Sequence, residues 1–436
     1  MADSFKKLTA NDVAYTKSLV HETVRIDGDI VWSSFPTYPA NSNKKDYSHG
    51  MFQSVFDYDF TNSSANQIFD LTIGVHEDST VFDGGYVEAN DEYHDKKIHL
   101  YNTLAQQLCG FATDGSVLQF DRDGNFSGGG EKYTEIIAFL FTRLLHKDGI
   151  KIGSFSLSLA LSPTGYGDER LPTDPFNWDG ANPTDSVLVI SDVGADTNYR
   201  TNSPAGRYAI LYASQPSGAG NTILEPTLLD IDNKVSVGLI FYDAGIVVLT
   251  PWIFKKYDGV GTAATDGFLN DDNAESDTLM LFNSTDGGDY DEENDPPTVV
   301  NPTHDTTEGY YMINELLAGQ EDGAGSGTDV DIPISDCCDA IRQRIDEIEF
   351  LNTTELNSTV YFCRANHNDF NYSSNPTYCD GSRIVVKSVS SDAPVSFITT
   401  IGLYSSDNEL LAVAKLSEPF KKSSDNELNL RVRLDY

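Results

Sequence analysis

Positive charge, histidine and cysteine are all scarce in this chain of 436 residues. Its 29 Lys and Arg stand against 67 Asp and Glu, a formal net charge of −38. Nucleic acid and anionic membrane surfaces are polyanions that such a chain repels, so neither is expected as a partner. No apolar run reaches the roughly 18 residues a membrane-spanning helix needs. The opening MADSFKKLTANDVAYTK lacks the apolar core of a secretory signal, so synthesis in a cytoplasm is expected. Five Cys is a small and odd number for a disulfide framework, and a cytoplasm keeps thiols reduced. Cys337 and Cys338 are adjacent, and neighbouring Cys rarely bridge each other. Cys363 and Cys379 are the pair with room to face each other across strands. Also missing are a G-x-S-x-G elbow, a P-loop, a dinucleotide fingerprint and an H-E-x-x-H motif. No enzymatic activity is expected, and no catalytic, cofactor-binding or metal-binding residue is assigned.

What is present suffices for packed cores. Apolar residues make up 39% of the chain, with 23 Phe and 22 Tyr among them. At about 150 residues per domain the length predicts roughly two to four domains. In 52–60, Phe52, Phe56, Tyr58 and Phe60 share one parity, the mark of a half-buried strand; 68–75 repeats the pattern with Phe69, Leu71, Ile73 and Val75. Asp95 can cap a helix carrying Ile98, Tyr101, Ala105 and Leu108, which Gly110 closes. A second helix is expected over 131–147, apolar nearly all round and therefore buried. The middle reads as strands at 186–191, 207–213 and 234–250, the last a hairpin turning at Asp243-Ala244-Gly245. Residues 257–341 hold 21 Asp or Glu and no Lys or Arg, the composition of a long, poorly packed excursion with docking islands at 279–282 and 310–317. After it comes a helix led by Ser335 or Asp336, with Cys338, Ile341, Ile345 and Ile348 on one stripe. Strands follow at 358–365, 383–389, 395–404, 408–416 and 426–436, with a reversal at Pro419 and the Lys421-Lys422-Ser423-Ser424 run.

The expected fold is α+β, mainly antiparallel β-sheet, with an N-terminal helix-containing domain and a C-terminal β module. The expected divisions are an N-terminal α/β domain at 1–165 and a β-rich middle domain at 166–256. An acidic, Gly/Asp-rich insertion or linker at 257–334 precedes the β module with its leading helix at 335–436.

Signals for chemistry are weak. His94 and His99 are five apart with no further ligand at zinc spacing. Asp121-Arg122-Asp123-Gly124-Asn125 resembles the start of a calcium loop, but the sixth position is Phe126 and the twelfth is Lys132. A hairpin-type turn accounts for the same residues. Ser127-Gly128-Gly129-Gly130 ahead of a helix could cradle an anion, yet Glu131 and Glu135 already place negative charge there. Asn371, Ser373, Ser374 and Asn375 before Pro376 form a polar turn, which Phe370, Tyr372 and Tyr378 can anchor on a sheet.

The C-terminal residues carry a resemblance. They run from Asn352-Thr353-Thr354 through Phe362-Cys363-Arg364-Ala365-Asn366 and Asp369-Phe370-Asn371-Tyr372. They continue with Ile401-Gly402-Leu403-Tyr404, Leu411-Ala412-Val413-Ala414-Lys415 and the closing Arg431-Val432-Arg433-Leu434-Asp435-Tyr436. This end resembles virion structural proteins of contractile-tailed, T-even-like cyanophages and related marine phages, strongly over about 80 residues. A helix, loop and second helix ending near Lys147-Asp148 and Gly153-Ser154-Phe155 looks like their front half. The resemblance implies a non-enzymatic building block of a tail, baseplate or neck region. Its partners would be other phage structural proteins in a symmetric assembly, and its place the virion. A receptor- or glycan-binding tail appendage is the alternative. No site residue is carried over from the resemblance.

Overall fold

A computed structural model of the chain describes residues 5–32, 42–82, 92–126, 129–160, 187–214, 224–230, 232–255, 333–342, 344–373, 375–387, 389 and 391–436, with 257, 267–268, 281–282, 310–311, 317, 320–321 and 330–331. Most of the expected acidic insertion therefore lies outside the described residues. The chain divides into two units, a larger one of residues 21–354 and a smaller one of residues 1–20 with 355–436. The expected separation of an N-terminal from a middle domain thus falls inside one unit, and the helix expected to lead the C-terminal module belongs to that unit too.

The larger unit is built on antiparallel sheet. Its strands are β1 (Val13–Asp27), β2 (Lys44–Asp46), β3 (Gln53–Phe56), β4 (Gln67–Val75), β5 (Glu135–Phe141), β6 (Gly149–Ile150) and β7 (Ser156–Ala160). They continue as β8 (Val187–Ser191), β9 (Arg200–Ser203), β10 (Gly206–Ser214), β11 (Lys234–Phe241) and β12 (Ile246–Leu249). A strand of 21 residues, Ile345–Ala365, and β1 run on into the smaller unit. From that long strand the order is β7, β8, β10, β11, β12, β5, β4, β3, β2. The α+β expectation holds at its coarser level, a mostly antiparallel β protein with few helices.

The expected helix over 131–147 is instead the strand β5 followed by a single turn, Arg143–His146. The physical reason lies in what covers the sheet. Ile137, Phe139 and Phe141 point into one core, while Ile136 and Ala138 point into another on the opposite face. A strand covered on both sides reads as an unbroken apolar run. On the first face Phe69 stacks edge-on against Phe139 and Phe141, at 5.6 and 6.0 Å between ring centroids. Ile334, Cys337, Cys338 and Ile341 of the Ile334–Arg342 helix join the same core. That helix stops short of Ile345 and Ile348, which belong to the long strand.

The second face takes the Glu92–Leu108 helix through Tyr101, Leu104, Ala105 and Leu108. Close approach is possible because β4 presents Gly74 there; a β-carbon at that position would stand 2.9 Å from the Tyr101 Cα. The helix closes at Gly110, as its sequence predicts, with φ at +90° and its N–H donating to the Ala105 carbonyl at 3.0 Å. The predicted 234–250 hairpin is β11 and β12, buried on both faces near the turn. Of the two islands in the acidic stretch, Leu281–Phe282 pairs with Tyr310–Tyr311, and Leu317 is buried in the first core.

In the smaller unit, residues 358–365 of the long strand pair with Leu428–Asp435, and Val395–Tyr404 pairs with Leu410–Ser423. Pro419 does not end its strand. The chain reverses after Ser423, and no pairing partner is assigned to Leu416–Pro419, so the missing Pro N–H leaves no ladder bond unmade. Among the described residues of the expected 383–389 strand, only Arg383–Ile384 is one.

Candidate functional site

Three buried ionisable groups in the larger unit are held by hydrogen bonds with their neighbours. Glu135, at the start of β5, accepts from the Trp252 indole N–H at 2.7 Å, from Thr134 Oγ1 at 2.8 and 2.9 Å, and from Ser79 Oγ. Burial pushes its carboxyl pKa up, and these donors pull it partly back. Asp192 accepts from the Gly153 N–H at 2.7 Å, the Phe155 N–H at 3.0 Å and the Tyr242 hydroxyl at 2.7 Å, which ties the loop before β7 to β8 and the hairpin turn. Arg342 is wholly buried and donates to the Val31 carbonyl and Asn43 Oδ1, at 3.0 and 3.2 Å, and to Asp339 Oδ1 at 2.9 Å. Lys44 donates to the other Asp339 oxygen. Each arrangement supplies hydrogen bonds to a charge the fold has buried, a structural use of ionisable groups.

The residues singled out from sequence are dispersed. His94 packs edge-on against Phe82 at 3.9 Å and His99 is exposed. Among the described residues no group of three or more His, Cys, Asp or Glu is arranged to hold a metal ion. Gly129 and Gly130 do not precede a helix, because the segment they lead into is β5, so the helix N-terminus imagined for an anion is absent there. An open depression of about 230 Å³ is lined by Asp57, Tyr58, Asn62 and Ser64, and the Asp57 carboxylate is engaged by the Asn66 N–H and Nδ2 at 2.7 and 2.9 Å. Cys363 and Cys379 are both free thiols. They are not cross-strand neighbours, since Cys363 stands opposite Leu430 and Cys379 opposite Ile384.

The smaller unit presents a different surface. Among the described residues, eighteen of the twenty-four exposed large apolar side chains lie in its 102 residues. Among the described residues its buried apolar side chains are few, namely Val360, Ala365, Tyr378, Leu403 and Val432. The Val395–Tyr404 and Leu410–Ser423 hairpin shows why. Phe397, Tyr404, Leu410, Leu411, Val413 and Phe420 stand exposed on it. The hairpin is a two-stranded sheet, a unit that is marginal by itself in water.

The loop before it is held by polar contacts. Lys422 is buried and donates to the His367 carbonyl at 3.2 Å, the Ser423 carbonyl at 2.7 Å and Asn371 Oδ1 at 2.8 Å. Asn375 accepts from the Thr377 N–H and hydroxyl at 3.1 and 2.9 Å, the self-bonded turn predicted from its sequence. Of the three aromatic anchors expected, only Tyr378 is buried, donating to the Val395 carbonyl; Phe370 and Tyr372 face solvent.

Charge divides the same way. Residues 1–20 and 355–436 carry eleven Lys or Arg against twelve Asp or Glu, a net charge of −1. Residues 21–354 carry the other eighteen and fifty-five, a net −37. Sequence reasoning located one-sided charge at 257–341 but did not total the charge of residues 1–20 with 355–436, which are distant in sequence. The signal was available in a count by segment. Comparison with family models, with curated proteins and with solved structures gave no match to this chain.

Proposed function

We propose that this chain is a structural component of a phage virion, of the tail, baseplate or neck, which assembles through its smaller unit. The observation that carries this reading is the concentration of exposed apolar side chains on the near-neutral unit. Exposed apolar side chains gathered on one unit, six of them on a single two-stranded hairpin, are what a protein–protein contact would cover. A net charge of −37 on the remaining residues keeps free copies apart and in solution, while a unit of charge −1 opposes no partner electrostatically. The resemblance of the C-terminal residues to virion structural proteins supplies the class of assembly. Its partners are then other subunits of that assembly, and its working location is the virion.

The test is incorporation. Leu410→Asp with Val413→Asp alters two exposed hairpin residues and should leave the free protein folded by circular dichroism. Particles assembled with the variant should lack the chain, as read by an antibody in negative stain and by mass spectrometry of purified virions. Normal incorporation of a folded double variant overturns the assigned surface, and absence of the wild-type chain from particles overturns the virion assignment. Specific binding of the wild-type protein to host surface glycans, without incorporation, would favour the appendage reading instead.

A further inference from the structure

The outer edge of the Leu410–Ser423 strand carries a pattern that is complementary to itself. Glu409, Leu411, Val413 and Lys415, alternate positions at the start of this strand, are all exposed. Neither Glu409 nor Lys415 has an ion-pair partner among the described residues. The strand has one neighbour, Val395–Tyr404, in a two-stranded sheet, so among the described residues its other edge pairs with nothing. Such an edge is a row of N–H and C=O groups that accepts a further strand.

Irregularities bound the usable stretch. Leu411 is the extra residue of a bulge, set between Leu410, which pairs with Tyr404, and Ala412, which pairs with Leu403. On the other side Leu416–Pro419 has no pairing partner, and Pro419 has no N–H to offer. What remains is 409–415, Glu-Leu-Leu-Ala-Val-Ala-Lys, with an acid at one end, a base at the other and only apolar residues between.

Reversing this stretch identifies its occupant. In a pair of copies related by a two-fold axis, residue i faces j and j faces i. With antiparallel edges and the axis at Ala412, Glu409 faces Lys415 of the second copy, and Lys415 faces its Glu409. Leu411 then faces Val413, Leu410 faces Ala414, and the small Ala412 faces itself. Opposite charges and apolar pairs directly across an antiparallel ladder stabilise it. Pro419 falls beyond the end of the second copy's strand, where its missing N–H interrupts nothing. Moving the axis one residue spoils the match, because it sets Lys415 against Leu411 or Glu409 against Val413.

We propose that the hairpin meets a second copy of this chain, whose 409–415 edge adds antiparallel to this one and joins two hairpins into a four-stranded sheet. The proposal rests on the reading of this hairpin as the assembly surface and names what that surface meets. Seven residues a side is well below the roughly 20–30 of a standard interface, so pairing of free chains is weak and reversible. The charge of −37 on each larger unit opposes it further at low ionic strength. Charges there act over about 30 Å at 0.01 M salt, against about 8 Å at 0.15 M.

Sedimentation equilibrium of the full chain in 0.15 M salt should show monomer and dimer, with a dissociation constant on the order of 10⁻⁴ M, and less dimer in 0.01 M salt. Glu409→Lys and Lys415→Glu each turn two opposed pairs into like-charge pairs and should weaken the dimer by about tenfold or more. Mixed in equal amounts, the two variants should pair with each other as tightly as wild type, because each charge then meets its opposite. Both change exposed positions and should fold by circular dichroism, and recovery in the mixture excludes misfolding as the cause of the loss. A wild-type chain that stays monomeric overturns the proposal. So do variants that dimerise like wild type, or a mixture no tighter than its components. Incorporation into particles is read separately. If the wild-type chain is monomeric yet Leu410→Asp with Val413→Asp still blocks incorporation, the surface stands and its partner is a different subunit. If the charge-swapped pair forms but the wild-type chain is absent from particles, self-pairing stands and the virion reading falls.

Discussion

Asp336 and Asp339 lie one turn apart on the Ile334–Arg342 helix, and their carboxyl pKa values move in opposite directions. Burial pushes both up. At Asp339 the Arg342 guanidinium and the Lys44 ammonium more than reverse that, so it stays ionised below the usual range. At Asp336 the Asp339 charge adds to burial, and the pKa is pushed up to about 6. Lys44 offsets this in part and Asp46 adds to it. The pair holds one negative charge readily and a second one poorly.

Stability should follow from that second charge. An unfolded Asp titrates near 3.8, so the folded state binds the Asp336 proton more tightly than the unfolded state does. The resulting stabilisation is complete below about pH 4 and is lost as pH rises through about 6. Asp336→Asn should therefore raise stability at pH 8 by on the order of 1–2 kcal/mol and give no such gain at pH 4. Urea unfolding of both proteins at the two pH values checks this; an equal effect at both would assign it to something other than ionisation.

Gly74 should tolerate no side chain. A methyl group there meets the Tyr101 backbone at 2.9 Å, and helix backbone cannot yield as a flexible side chain would. Gly74→Ala should cost about 1–3 kcal/mol, the range for overpacking a close contact. A denaturant midpoint equal to wild type would mean that the helix is not seated on β4 at this point.

Periodicity made the outer parts of this fold legible. The alternation in 68–75, the Asp243–Gly245 turn and the strict parity of 428–435 each reach the structure as β4, the β11–β12 hairpin and the final strand. It failed at β5, where Glu135-Ile136-Ile137-Ala138-Phe139-Leu140-Phe141 shows no alternation because both faces are covered. It failed again at the long strand, where Ile345 and Ile348 continue a helical spacing and only 358–365 reads as strand. In between, Asn352 is buried, donating to the Leu145 carbonyl at 2.9 Å, a partner 207 positions away. The Arg342–Asp339–Lys44 cluster was invisible for the same reason, since long-range pairing of charges leaves no local pattern. The apolar residues of the 395–423 hairpin were visible as strands, but alternation predicts one covered face and cannot reveal that so many side chains stay exposed.

All five thiols should be reactive once the chain is unfolded without reductant. Cys109, Cys337 and Cys338 are buried, and burial pushes each thiol up, Cys337 to about 11, so none should alkylate readily in the native state. Cys363 and Cys379 are half-buried and should react first, Cys363 slowed because burial, with the Asp12 charge added, raises its pKa. Mass spectrometry after alkylation should count five modifications. A count of three would mean that a disulfide had formed and would contradict the separate strand partners of Cys363 and Cys379.

The last strand separates folding from assembly. Leu428, Leu430, Val432 and Leu434 share one face, of which Val432 is buried and the others half-buried, while Arg431 and Arg433 on the opposite face are exposed. Val432 stands opposite Tyr361 on the long strand. Burying a side chain of this size contributes about 1.5–3 kcal/mol, and an unpaired carboxylate in its place adds a desolvation cost. Val432→Asp should unfold the smaller unit or leave it aggregation-prone, and Leu430→Asp should do the same to a lesser degree because Leu430 keeps partial contact with water. Arg431→Asp changes an exposed residue and should cost under about 0.5 kcal/mol. Circular dichroism and urea unfolding give that ranking, and wild-type stability in Val432→Asp would show that the face is not packed. Arg431→Asp then reports on assembly alone. If it folds normally yet fails to enter particles, the exposed face of this strand meets a partner; if it enters normally, the contact lies on the hairpin.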